Sequence, residues 1–120
     1  MKDMFFAITT HVSDGTASVT GSQGVFGKLY AVRYTPTDIA TGATLTITCG
    51  GKTVPSKANA GTSVAWYYPR DVMNLASSGA ALTGTSGYDL CEPILDGVPV
   101  VAIAAGGNSK VGNVVLYYEE

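Results

Sequence analysis

The chain has 120 residues, 46% of them hydrophobic and 13% charged, with 7 basic against 9 acidic side chains. That length suits one domain rather than two, and the apolar share excludes a disordered chain. A net charge of −2 supplies no long-range field for nucleic acid or an anionic membrane, so neither is expected as a partner.

The chain opens with Met1-Lys2-Asp3-Met4-Phe5-Phe6-Ala7-Ile8, an apolar stretch too short for a signal peptide or a membrane span. Folding in the cytoplasm where the chain is made is expected, with residues 1–6 as an arm ahead of the first strand. Phe5 to Thr10 and Ala17 to Thr20 predict an opening hairpin around Ser13-Asp14-Gly15. Gly21-Ser22-Gln23-Gly24-Val25-Phe26-Gly27-Lys28-Leu29 looks like a phosphate loop but has Ser22 where the first Gly belongs and Leu29 where the final Ser or Thr belongs. A strand follows it, not a helix, so it reads as a connection between strands.

Lys28 to Thr35 predicts a strand with Tyr30, Val32 and Tyr34 on one face, ended by Pro36. Ala43-Thr44-Leu45-Thr46-Ile47-Thr48-Cys49 alternates strictly: Ala, Leu, Ile and Cys on one side, three Thr on the other. That is the pattern of a half-buried strand, and Gly50-Gly51 stops it. A short strand is expected near Thr53-Val54 and another over Val64 to Tyr68. Pro69 to Ala76 places Val72, Leu75 and Ala76 at helical spacing and predicts the one short helix. Ser77 to Gly87 reads as a long surface loop. Asp96-Gly97 predicts a tight turn before the strand Val98 to Ala104. Residues 105–110 then predict a hairpin loop into the strand Val111 to Tyr118.

Together these predict an all-β domain, an antiparallel β-sandwich or jelly roll of about 7–9 short strands with at most one short helix. There is no internal repeat and no linker.

Chemistry is sparse. His11 is the sole histidine and stands without a nucleophile signature, so no catalytic residue is assigned and no enzyme is expected. Asp89, Glu92 and Asp96 lie close in sequence but lack calcium-loop spacing, so no metal or cofactor is expected. Cys49 and Cys91 read as two reduced, buried thiols, with a disulfide as the alternative.

The aromatic pairs say more. Neighbours on a strand point to opposite faces, so one ring of each pair Trp66/Tyr67 and Tyr117/Tyr118 must face away from a single core, while Phe5 and Phe6 belong to the apolar arm at residues 1–6, which could extend a neighbour's sheet. Exposed aromatic and Arg side chains are what interface anchors are made of. Phe5, Phe6, Trp66, Tyr68, Arg70, Tyr117 and Tyr118 are therefore the candidate protein-interface residues.

Five segments, in this order, resemble small virion proteins of tailed bacteriophages: Gly27 to Tyr34, Thr41 to Thr48, Ala65 to Arg70, Leu95-Asp96-Gly97 and Val115 to Tyr118. The resemblance runs from about Ala17 to Glu120. It implies a capsid decoration (cement) or other head-associated protein on the virion exterior. Its expected partners are the major capsid protein and copies of itself, as dimer or trimer. The alternatives are a head–tail connector, a tail- or fibre-associated protein, or a host-glycan-binding sandwich that uses Trp66 and Tyr67 as a stacking platform.

Overall fold

The computed structural model describes residues 1–57, 60–72 and 90–120. Among the described residues there are eleven strands: β1 (Lys2–Thr9), β2 (Ala17–Thr20), β3 (Val25–Pro36), β4 (Thr44–Cys49), β5 (Lys52–Lys57), β6 (Ala65–Tyr67), β7 (Asp71–Val72), β8 (Leu90–Cys91), β9 (Ile94–Gly97), β10 (Pro99–Ala104) and β11 (Val111–Glu119). Nine of them build two antiparallel sheets. The five-stranded sheet runs β1-β11-β3-β6, with β9 also paired to β3, and the four-stranded sheet runs β2-β10-β4-β5. The two pack as a β-sandwich, and β7 and β8 pair separately. Among the described residues there is no helix, and hence none that could cross a membrane.

Period-two alternation assigns the faces. On β1, Met4, Phe6 and Ile8 are buried while Asp3, Phe5 and Ala7 are exposed. On β4 and β10, Leu45, Ile47, Cys49, Val101 and Ile103 enter the same core, to which Tyr34, Leu95, Leu116 and Tyr118 contribute from the other sheet. The outward side of β4 keeps its row of threonines, Thr44, Thr46 and Thr48. β3 ends at Pro36 as expected, and Pro55 falls in β5, at the edge of its sheet, where a missing N–H costs least.

Alternation breaks within β3. Leu29 and Val32 are both buried although three residues apart, because the β3–β11 register shifts opposite Tyr117 and Tyr118. The bulge leaves Tyr30 as the extra residue, 41% exposed, so it does not share a face with Val32 and Tyr34.

Two expected hairpins and one expected tight turn instead join the two sheets. β1 and β2 lie in different sheets, and so do β10 and β11. Asp96 and Gly97 are part of β9 itself, which pairs with β3, while the next strand, β10, belongs to the opposite sheet. Each of these connections carries the chain from one layer to the other. In the β10–β11 connection the positive φ angles fall on Ala105, Gly107 and Ser109. A tight hairpin does form at β4–β5, with Cys49 opposite Lys52 across Gly50 and Gly51. Both glycines have positive φ, 59° and 83°, as a two-residue type I′ loop demands.

The helix expected from Pro69 is also corrected. Pro69 and Arg70 are not helical, and Asp71–Val72 are extended as β7. Residues 73–76, and the loop expected at 77–87, lie outside the described residues.

Candidate functional site

The outward face of the five-stranded sheet is where unusual side chains gather. Register places Phe5, Val115, Arg33 and Trp66 in one row across β1, β11, β3 and β6. The neighbouring row holds Asp3, Tyr117 and Ala31. Between these rows the Trp66 and Tyr117 rings stack with centroids 5.2 Å apart. The Arg33 guanidinium carbon lies 5.7 Å from the Trp66 centroid and 6.0 Å from that of Tyr117, within cation–π range of both. A second group adjoins it at the bulge. Tyr68 meets Tyr30 edge-on at 5.9 Å, and the Arg70 guanidinium carbon sits 5.7 Å from the Tyr30 ring while its Nη1 donates to the Tyr30 carbonyl at 3.0 Å.

This face carries a thin apolar layer of its own. Val115 and Ala31 point away from the sandwich core yet are only 3% and 1% exposed. The long side chains around them keep water off, while Phe5 stays 62%, Tyr68 54% and Trp66 48% exposed. Arg33 Nε is buried with no hydrogen-bond partner among the described residues. Stacking rather than a carboxylate holds that charge in place.

Of the seven candidate interface residues, the structure brings five to this face or its margin: Phe5, Trp66, Tyr68, Arg70 and Tyr117. Phe6 and Tyr118 are corrected to core residues at 1% and 2% exposure, because alternation buries one member of each pair. The arm expected at residues 1–6 is likewise in the sheet: Lys2 to Phe6 pair with Tyr118 to Val114. A Trp66/Tyr67 platform does not form. Tyr67 packs on the core and its hydroxyl donates to the Ala60 carbonyl at 2.7 Å, so the ring beside Trp66 is Tyr117. Sequence reasoning missed Arg33 and Tyr30 as members of the site. Arg33 was legible by parity, sitting between the inward Val32 and Tyr34, whereas its meeting with Trp66 depends on the β3–β6 pairing.

At the far end of the same face, beyond the bulge, Phe26, Gly27, Lys28, Ile94, Glu119 and Glu120 line an open depression of about 340 Å³. Phe26 and Ile94 are 71% and 51% exposed. Lys28 lies opposite both Glu119 and Ile94, and Phe26 opposite Asp96.

His11 is held in the β1–β2 connection. Its Nδ1 faces the Ser13 hydroxyl at 2.7 Å, and the Asp14 carboxylate lies 3.8 Å from the same nitrogen. A proton relay needs the hydroxyl and the carboxylate on opposite ring nitrogens; here both meet Nδ1. Asp14 also accepts from the Thr16 N–H and hydroxyl, bonds that hold its carboxyl below the usual range. The group is a turn staple.

Both cysteines are free thiols. Cys49 is buried, and burial pushes its thiol up. Cys91 is exposed, which corrects the expectation of two buried thiols. Among the described residues no three His, Cys, Asp or Glu side chains converge as metal ligands. Asp89 lies outside the described residues.

No family model matches the chain, and neither a curated protein nor a solved structure matches it.

Proposed function

We propose that this chain is a structural assembly protein, a bacteriophage virion component of the capsid-decoration type that binds the outer shell and stabilises the head. The observation that carries the reading is the outward face of the five-stranded sheet. Aromatic and arginine side chains there are pre-stacked by neighbouring strands and remain half exposed. Rigid, stacked rings lose little conformational entropy on association and bury large apolar area, which suits an interface anchor. The uncharged threonine row on the opposite sheet suits a protein that must stay soluble before it assembles. Ordered contacts repeated over many equivalent sites add up even when each is modest.

The test is occupancy on purified particles. Copy number per virion, read from a stained gel, should be in the hundreds, and Trp66→Ala with Phe5→Ala should lower it by an order of magnitude or more. A few copies per particle would move the chain to a head–tail joint, tail or fibre. Absence from particles would overturn the reading.

A further inference from the structure

The outward face of the five-stranded sheet has two unlike ends. At one end stand Phe5, Trp66 and Arg33; at the other stand Phe26 and Ile94 beside Asp96 and Glu119, with Tyr68 and Arg70 held at the bulge between them. One end carries aromatic anchors and positive charge. The other carries an apolar depression in which the carboxylates outnumber Lys28. The bulge at Tyr30 separates them, with Asp3 and Tyr117 in the row between. Most of the large apolar side chains left exposed among the described residues lie along this strip: Phe5, Phe26, Tyr30, Trp66, Tyr68 and Ile94.

We infer that this face is covered by a second copy of the chain, packed face to face about a two-fold axis that runs across the strands near Tyr30. Such a rotation reverses the strand direction and keeps the lateral order of the strands. β6 and β9 lie on the same side of β3, β6 against its second half and β9 against its first. The rotation therefore lays β6 of one copy over β9 of its partner. Trp66 then meets the depression beside Ile94, and Arg33 comes within reach of Glu119. Each contact occurs twice, as an isologous interface requires. The opposite operation, with the axis along the strands, would stack arginines on arginines and carboxylates on carboxylates.

The area suffices. A standard interface takes about 800 Å² from each partner, roughly an eighth of the 6481 Å² surface of this chain. This inference rests on the proposed function only in taking the face as a contact surface: with the face closed in a dimer, Trp66→Ala and Phe5→Ala lower occupancy by undoing the dimer that binds, and the dimer itself is tested without any shell.

The experiment is sedimentation velocity on the full chain from about 1 to 100 µM, with Trp66 fluorescence as a second signal. Trp66 is the sole tryptophan, so dimer formation should shift its emission to the blue as concentration rises. Arg33→Glu and Glu119→Arg should each raise the dissociation constant at least tenfold, and the double variant should restore most of it. Glu119 lies at the end of β11, so its variant keeps the test alive if Arg33→Glu fails to fold. A monomer at every concentration overturns the inference. So does a trimer or larger ring, or a dimer indifferent to both charge reversals. A dimer found by these tests on a chain absent from virions would leave this inference standing and remove the decoration role.

Discussion

Tyr34 shows how much one atom matters in this core. Its ring is wholly buried, and its hydroxyl has no partner among the described residues. Burial, with Tyr67 nearby, pushes its pKa up to about 12 from a usual 10. The sign of the pH effect follows. Below pH 10 both folded and unfolded chains keep the proton, so nothing changes. Between pH 10 and 12 the unfolded chain releases it and the folded chain does not, so stability falls as pH rises. At about 1.4 kcal/mol per unit the loss approaches about 3 kcal/mol by pH 12. Tyr34→Phe should abolish that part of the alkaline loss and stabilise the protein at neutral pH by about 1 kcal/mol, because it removes an unsatisfied buried group. Urea unfolding of both proteins at pH 7 and pH 11 measures the two effects. The thiols give a second residue-scale expectation. A maleimide should label Cys91 in the native protein within minutes and reach Cys49 only after denaturation, read by mass spectrometry, since a buried thiol with a raised pKa offers little thiolate.

At the level of elements, β1 gives the sharpest contrast. Phe5 and Phe6 are neighbours on one strand, 62% and 1% exposed. Phe6→Ala should cost about 3–5 kcal/mol, the usual loss for a buried phenylalanine. Phe5→Ala should stay within about 0.5 kcal/mol in the monomer; thermal melts of dilute protein separate them. The β4–β5 turn is equally exacting. Gly50 has φ 59°, and a Cβ there would run into the Asp96 carbonyl oxygen of the opposite sheet. Gly50→Ala should therefore cost more than the roughly 1 kcal/mol of a left-handed backbone alone, measured as a drop in the urea midpoint. These elements also mark what could be read from the sequence. Thr44 to Cys49 revealed its faces because hydroxyl and hydrocarbon alternate without a break, and Pro36 marked its strand end. The bulge at Tyr30 left no trace, since a tyrosine is at home on either face of a strand. Trp66, Tyr68, Arg70, Phe5 and Tyr117 were legible as outward candidates, but parity could not decide which member of Phe5/Phe6 or Tyr117/Tyr118 turns inward. The meeting of Trp66 with Arg33 and Tyr117 was hidden altogether, because strands far apart in the chain bring them together.

For the whole molecule, the connections explain more than the strands do. Ser13-Asp14-Gly15 and Asn108-Ser109 have turn chemistry, and turn chemistry says that the chain reverses without saying which sheet it returns to. Here it mostly returns to the other layer, so the sandwich is laced together at its ends. Removing residues 1–6 takes Met4 and Phe6 from the core and strips half the pairing partner from β11. Such a chain should show no cooperative unfolding transition by calorimetry, whereas a dispensable arm would leave that transition intact.

The pairing of the first strand with the last also has a consequence during synthesis. At roughly 5–20 residues per second, Lys2 to Thr9 leave the ribosome several seconds before Val111 to Glu119 exist to receive them. Until then the larger sheet lacks the strand that joins β1 to β3. A message cut short ahead of Val111 would yield a polypeptide unable to close its larger layer and open to proteolysis. The topology thus acts as a completeness check on every copy that is made.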